Sequence, residues 1–326
     1  MDVTRASRTL EVRAPEDDGQ RADVVLGRRM PGLSRRMARR MALDGHLRVD
    51  GKRAAPSTRV HVGQVLEVVW TVHPEIHDAP ALDVLGVTDD FVFVNKPAGL
   101  HTHRLRPDQP PTLADQVAAR FPECVHASPD PREGGAVHRL DLETSGVVVF
   151  ARSRDAWTAA REAFGRGRVA KRYLAICHAP PAWPPAPPEA LPGFIEPCDD
   201  AGALWVRAPI GRGARRDRAA VTLKGPAAAT RVERRQTSKD GRFVLLALSL
   251  ATGRRHQARV HLAFLGTPIV GDVKYGSPDE TGLTLMLHAA TLDLGPLAPA
   301  VSAPPSDAFL DFLAAHGMAL ESPWKT

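Results

Sequence analysis

Near the start of the chain the spacing of apolar positions changes several times, and each change predicts an element. Val24, Val25 and Leu26 lie inside a run from Arg21 to Met30 that reads as a short helix, broken by Pro31-Gly32. Ser34 is a suitable N-cap for a second helix, which Gly45 ends. Met37 and Met41 share one face of that helix, whereas Arg35, Arg36, Arg39 and Arg40 form two i,i+4 pairs on the other. Leu47-Arg48-Val49 alternates as a strand, Asp50-Gly51 marks a tight hairpin turn, and Val65 to Trp70 is a further strand after Gly63. These elements form a unit over residues 20–71, preceded by a charged N-terminal segment, 1–19. Residues 72–82 hold Pro74 and Pro80 without apolar periodicity, the pattern of a linker.

A larger unit occupies 83–326. Strand-like runs recur at Phe91 to Asn95, Val147 to Ala151, Val169 to Cys177, Phe243 to Leu250 and Leu285 to Ala290. One clear helix lies among them, capped by Ser153, with Trp157, Ala160 and Phe164 at helical spacing. Hairpin-scale gaps between these elements predict an α+β fold with no regular βαβ series. The Pro-rich stretch 179–199 reads as a surface insertion.

Composition narrows the classes. A chain of 326 residues with 43% hydrophobic and 25% charged positions is that of a folded, two-domain protein. No apolar run approaches the roughly 20 residues that span a bilayer. The first residues carry Asp2, Arg5, Arg8, Glu11 and Arg13 without an apolar core, unlike a signal peptide. Cys124, Cys177 and Cys198 are scattered, with no C-x-x-C pair, and His126 and His178 beside two of them lack ligand spacing. A cytoplasmic protein without a metal site or membrane contact is therefore expected. Lys plus Arg numbers 43 against 37 Asp plus Glu, a net charge of +6 that suits a polyanionic partner. The Arg, Ala and Pro excess alone also fits coding bias. The four arginines weigh more. A charge run is usually a solvated face, but four like charges without an acidic residue among them are costly without an anion, and they point to RNA or another polyanion.

The segment with most chemical content is His138-Arg139-Leu140-Asp141-Leu142-Glu143-Thr144-Ser145-Gly146, followed by the apolar run Val147 to Phe150. Asp141 falls in the loop entering a buried-type strand, where a rigid sheet positions it. One Asp in one turn is ordinarily an Asx-turn or cap. A second segment, Thr252-Gly253-Arg254-Arg255-His256-Gln257-Ala258-Arg259-Val260-His261, follows another apolar strand, with Gly271-Asp272 and Tyr275-Gly276 beyond it. A guanidinium from Arg259 within about 4–6 Å of Asp141 lowers a carboxylate pKa by roughly 1–3 units. That keeps Asp141 ionised and able to act as a nucleophile. The alternative for this pair is an ordinary structural salt bridge.

H-R-L-D-x-x-T-S-G with Val147 to Arg152 after it resembles the RluA-type pseudouridine synthase family. Val94-Asn95-Lys96-Pro97-Ala98-Gly99-Leu100, Lys171-Arg172-Tyr173, and Gly253 to His261 with Gly271-Asp272 and Leu287-His288-Ala289 resemble further motifs of that family, in the same order. Residues 20–70 resemble the RNA-binding domain named after small-subunit ribosomal protein S-four. The resemblance implies a mixed, mostly antiparallel central sheet in the catalytic domain and a small α/β RNA-binding module before it. It implies that Asp141 acts at the ribosyl anomeric carbon of a uridine, that Tyr173 stacks on the extracted base, and that Arg259 pairs with Asp141. Arg139 is a candidate to fill the gap left in the RNA stack and Leu287 to pack on the base. His138, in the same motif, and the Arg35, Arg36, Arg39 and Arg40 face are further candidates for RNA contact. Two positions depart from the family pattern: Arg255 stands where Thr is usual, and Ala258 where a larger aliphatic residue is.

The chemistry so implied needs no metal or nucleotide cofactor. The partner implied is RNA, ribosomal in preference to transfer RNA, with no DNA expected and a monomer as the default state. A non-catalytic RNA-binding or ribosome-assembly factor that keeps the fold is the rival reading, and a hydrolytic nucleosidase using the same carboxylate is a third.

Overall fold

The strand after the Asp141 loop is the element around which the larger unit is built. Its sequence, Ser-Gly-Val-Val-Val-Phe-Ala, is buried at every position, so both of its faces are covered. A strand covered on both sides reads as a continuous apolar run. The computed structural model describes residues 4–30, 35–43, 45–72, 81–105, 111–183, 185, 193–198, 202–215, 217–276 and 283–320, although some side chains within these ranges are not described.

The N-terminal unit contains β1 (Thr4–Glu11), β2 (Gln20–Arg21), α1 (Ala22–Arg29), α2 (Arg35–Leu43), β3 (Leu47–Val49), β4 (Lys52–Arg53), β5 (Arg59–Val60) and β6 (Val65–Val72). Four strands form an antiparallel sheet in the order β1-β6-β3-β4. The charged segment at the start is thus an unforeseen strand, paired with β6 from Thr4↔Val72 to Glu11↔Val65. Its mixed sequence gave no apolar alternation to read. Val25, Leu26, Ala38, Met41, Leu47, Leu66 and Val68 make a core of their own. Arg35 and Arg39 lie exposed on α2. Ser34 and the side chains of Arg36, Met37 and Arg40 lie outside the described residues, as do positions 73–80 of the expected linker.

The larger unit contains β7 (Val84–Val87), β8 (Phe91–Lys96), α3 (Leu113–Arg120), β9 (Ser145–Ala151), α4 (Arg154–Gly165), β10 (Ala170–His178), β11 (Ile195–Pro197), β12 (Leu204–Val206), β13 (Ile210–Arg212), β14 (Ala219–Val221), β15 (Thr230–Thr237), β16 (Phe243–Leu250), α5 (Gln257–Phe264), β17 (Leu287–Asp293), β18 (Val301–Ser302) and α6 (Asp307–Ala315). Nine strands run in the order β11-β12-β15-β16-β10-β17-β9-β8-β7, and β18 pairs with β17 as a tenth. The pairing of β17 with β9 is parallel, and the other pairings described in this sheet are antiparallel. This is the mixed, mostly antiparallel sheet of an α+β fold. Of the Pro-rich insertion, residues 184, 186–192 and 199 lie outside the described residues.

Alternation sorts the sheet's two faces. Phe91, Phe93, Val147 and Val149 pack with Ala156, Ala160 and Ala163 of α4. Val92, Val94, Val148 and Phe150 pack with Leu113, Ala114 and Val117 of α3 and with Leu140, next to Asp141. Small alanines at helical spacing let α4 lie close to the sheet, and the Ser153 hydroxyl accepts the Ala156 N–H at 3.1 Å to start it. At α3 the same task falls to a capping box of Thr112 and Asp115. Gly146 permits the one parallel junction: its φ is 115°, and a Cβ there would meet the Ala289 carbonyl oxygen at 2.2 Å. A buried Ser145 hydroxyl lies 2.9 Å from His288 Nδ1 at the same junction. His288 Nε2 faces the Ala303 carbonyl at 3.0 Å, and a carbonyl only accepts, so Nε2 carries the proton and Ser145 donates to Nδ1.

Candidate active site

Asp141 is held by its neighbours along the chain and by two distant elements. Leu140 on one side is buried, and its N–H and C=O both bond the Thr102 hydroxyl, at 3.2 and 3.3 Å. Leu142 on the other side accepts from Lys96. The Lys96 side chain is fully buried, and its three ammonium donors meet three carbonyls, Pro97 at 2.8 Å, Leu100 at 2.8 Å and Leu142 at 3.1 Å. Burial draws the Lys96 pKa down to about 7, against the pull of Asp141 and Glu143. A lysine at the end of β8 thus ties the 97–100 turn to the Asp141 loop.

The cation beside Asp141 is Arg259, from the first turns of α5, and it is 2% exposed. Asp272, fully buried, grips it through two bonds of 2.8 Å, to Nε and Nη2. The remaining Nη1 lies 3.5 Å from Asp141 Oδ2 and 3.4 Å from Glu143 Oε2. The bidentate fork fixes the plane of the guanidinium, and Nη1 is left to serve two carboxylates in the 141–143 loop. Burial works to discharge Arg259, but its hydrogen bonds and charge pairing with Asp272, with Asp141 and Glu143 behind, override that and raise its pKa. Asp272 also accepts the Lys274 and Tyr275 N–H groups, so the clamp shapes its own turn. Asp141 itself keeps 22% of its side chain exposed, so it can be reached from solvent.

Tyr173 sits on β10 opposite Ala289, and Leu287 opposite Ala175. Directly paired residues share a face, so Tyr173 and Leu287 are diagonal neighbours on one side of the sheet. Burial pushes the Tyr173 phenol pKa up, and the Asp141 charge adds to the shift. Arg139 is exposed beside the buried Leu140. His138 is differently engaged: its ring stacks on Phe164 of α4 at 4.9 Å between centroids and accepts the Val149 N–H at 3.3 Å. Burial holds that imidazole neutral, with a pKa pushed down to about 3.

The fold therefore gathers Asp141, Arg259, Tyr173 and Leu287, and leaves Arg35 and Arg39 on the N-terminal helix. Four partners escaped the sequence reading: Lys96, Glu143, Asp272 and His256. All four stood inside quoted segments, but nothing in their spacing showed which groups they would meet. His256 Nε2 lies 3.7 Å from Asp141 Oδ1. Of the two departures, Arg255 is exposed and donates to the Asp217 carbonyl at 2.7 Å, while Ala258 is buried in the core. Among the described residues no group of His, Cys, Asp and Glu is arranged to hold a metal ion.

Asp141, in the loop that enters the central strand β9, thus stands against a clamped guanidinium and within reach of solvent. The family described as RNA pseudouridylate synthase matches residues 90–264, and the S4 domain matches residues 20–66. The chain belongs to the RNA pseudouridylate synthase family, in its RluA-type branch, and is an RNA pseudouridine synthase, an isomerase with RNA as its partner. An uncharacterized RNA pseudouridine synthase of Chloroflexus aurantiacus is 35% identical over 303 residues, covering 90% of this chain and 88% of the relative. The ribosomal large subunit pseudouridine synthase D of Xanthomonas campestris is 34% identical over 266 residues, covering 79% and 72%. Among solved structures, human RNA pseudouridylate synthase domain containing 1 superposes with a TM-score of 0.53 at 25% identity, over 76% of this chain and 94% of that one. The domain containing 4 protein shares the fold, with a TM-score of 0.54 at 23% identity over 73% and 94%. No helix among the described residues is long and apolar enough to cross a membrane.

Proposed function

We propose that this enzyme isomerises specific uridines of structured ribosomal RNA and that Asp141 is its catalytic carboxylate. One observation carries the assignment: Asp141, still open to solvent, has Oδ2 3.5 Å from a guanidinium that Asp272 holds buried and immobile. That geometry suits a carboxylate in either candidate role, attack on C1′ or removal of the neighbouring 2′ proton. The N1–C1′ bond breaks, the uracil turns, a C5–C1′ bond forms, the C5 hydrogen leaves as a proton and N1 gains one.

The uridine must first leave its stack, at a cost of roughly a few kcal/mol. Tyr173 recovers about 1–3 kcal/mol by stacking on the base. Leu287 walls the other side, and exposed Arg139 fills the vacated place in the RNA. His138, committed to Phe164 and Val149, belongs to the scaffold in this reading. The Arg35, Arg36, Arg39 and Arg40 face grips the phosphate backbone, supported by the exposure of Arg35 and Arg39. A 20–71 binding module, an 83–326 catalytic domain and a cytoplasmic monomer acting on RNA complete the reading. The ribosomal target draws on the name of the Xanthomonas relative.

The test is to incubate the purified protein with ribosomal and transfer RNA from a strain lacking it, and to map pseudouridine at single-nucleotide resolution. New sites in large-subunit ribosomal RNA support the reading. Sites confined to transfer RNA, or none, overturn the target.

A further inference from the structure

Beside Asp141 the fold sets a second pair, His256 and Tyr275. His256 has a left-handed backbone (φ 56°, ψ 24°) immediately ahead of α5. That conformation is uncommon for a residue other than glycine. It turns an imidazole with 7% side-chain exposure into the space between Asp141 and Tyr275. Nδ1 lies 2.6 Å from the Tyr275 hydroxyl, and Nε2 lies 3.7 Å from Asp141 Oδ1. The same hydroxyl accepts the Ala219 backbone N–H at 2.8 Å, from the β13–β14 hairpin. The Arg259 guanidinium lies 5.4 Å from the centre of the Tyr275 ring, so one tyrosine supports both neighbours of the carboxylate.

Two proton arrangements fit the short Nδ1 contact. If Nδ1 carried the proton, Nε2 would turn a lone pair toward a carboxylate oxygen, which repels it. If the tyrosine O–H donates to Nδ1, Nε2 carries the proton and turns it toward Asp141, which attracts it. The Ala219 N–H occupies a lone pair of the tyrosine oxygen and leaves its hydrogen free for Nδ1.

We infer that His256 is a positioning residue that presents an Nε2–H to Asp141 Oδ1, in a tautomer fixed by Tyr275, so that each carboxylate oxygen faces its own donor. Oδ1 faces the imidazole and Oδ2 the guanidinium. The carboxylate is thereby fixed in rotation as well as in place, and the neutral imidazole does so without adding a second full charge that would blunt its reactivity. The 3.7 Å separation is longer than a hydrogen bond, and catalytic contacts of this kind commonly tighten when substrate binds. Burial lowers the imidazole pKa, Asp141 opposes that, and Arg259, Arg255 and Lys274 reinforce it, so the neutral form persists between these neighbours.

The inference rests on Asp141 being the catalytic carboxylate, and the experiment separates the two. Single-turnover release of tritium from C5-labelled ribosomal RNA, together with RNA affinity, is measured for His256→Leu, His256→Gln, Tyr275→Phe and Asp141→Asn. His256→Leu is expected to slow the reaction by about 10–100-fold, the worth of one hydrogen bond to a charged group, with affinity unchanged. His256→Gln offers an N–H near the former Nε2 and should recover about tenfold of that loss. Both variants carry the same backbone strain, so their difference reads the donor alone. The near-isosteric Tyr275→Phe should be slowed about tenfold at unchanged affinity, and it keeps the test open if either His256 variant misfolds. Equal rates for Gln and Leu, or losses that fall on affinity, overturn the inference. Wild-type rates for His256→Leu and Tyr275→Phe beside an inactive Asp141→Asn overturn it alone, and an active Asp141→Asn overturns the reading of Asp141 with it.

Discussion

Asp272→Asn probes the clamp that presents Arg259. The exchange is isosteric, so it opens no cavity. It removes one charge from a site where Arg259 is 2% exposed and Asp272 is fully buried, and it puts an amide N–H against a guanidinium N–H. Removing one partner of a buried pair costs about 3–5 kcal/mol, because the other charge is left uncompensated. Arg259 Nη1 keeps Glu143 at 3.4 Å and Asp141 at 3.5 Å, which places the loss toward the lower end. About 3 kcal/mol corresponds to a fall in melting temperature of roughly 6–12 °C for a unit of 150–250 residues. Freed from its fork, Arg259 is drawn into the Asp141–Glu143 loop, so the reaction should also slow. Calorimetry or fluorescence melting at pH 7 reads the first effect and single-turnover kinetics the second. A melting temperature within about 2 °C of wild type would mean that the buried guanidinium does not depend on Asp272.

Stability should fall on the acid side of neutrality. His261 and His288 are fully buried, and burial pushes both pKa values down from 6.5 to about 4. The unfolded chain therefore binds more protons than the folded one between those values, and stability declines as pH drops from about 6.5 to 4, by roughly 2 kcal/mol per pH unit from these two groups near pH 5. Urea midpoints at pH 7 and pH 5 that coincide would contradict this. Gly146→Ala should abolish soluble folded protein, because a Cβ would lie 2.2 Å from the Ala289 oxygen at the parallel junction; a cooperative melt like wild type would count against that packing. Arg35→Gln combined with Arg39→Gln should reduce the dependence of log RNA affinity on log salt by about 1–2 units, and an unchanged slope would move the phosphate contact off α2.

Much of the strand pattern was legible because the buried strands announce themselves in local composition. Phe243 to Leu250 coincides with β16, and the run from Val147 sits inside β9. The last predicted strand was displaced: Leu285 and Met286 are buried, but their place is a bridge to Val270 and Ile176, and β17 runs on through polar Thr291 to Asp293. Helices α3, α5 and α6 were not foreseen. The α5 sequence is buried over Gln257 to Leu262, including Arg259 and His261, so it lacks the two-faced pattern that marks a surface helix. The meeting of Asp141 with Arg259, and the place of Tyr173 near them, were foreshadowed by motifs. The Asp272 fork, the three carbonyls on Lys96 and the His256–Tyr275 contact depend on side-chain meetings that no short-range pattern records. The same holds for β1, whose partner lies more than fifty residues along the chain.

If the Asp141 carboxylate performs the isomerisation, its removal must stop the reaction. Formation of each pseudouridine releases the hydrogen at uracil C5, so tritium release from C5-labelled ribosomal RNA counts turnovers directly. Asp141→Asn exchanges one carboxylate oxygen for an amide NH2 and removes the charge at nearly the same shape. It should bind the RNA with similar affinity and release no tritium above background in an assay where wild type reaches a plateau. Release at the wild-type rate would show that Asp141 is not the catalytic group.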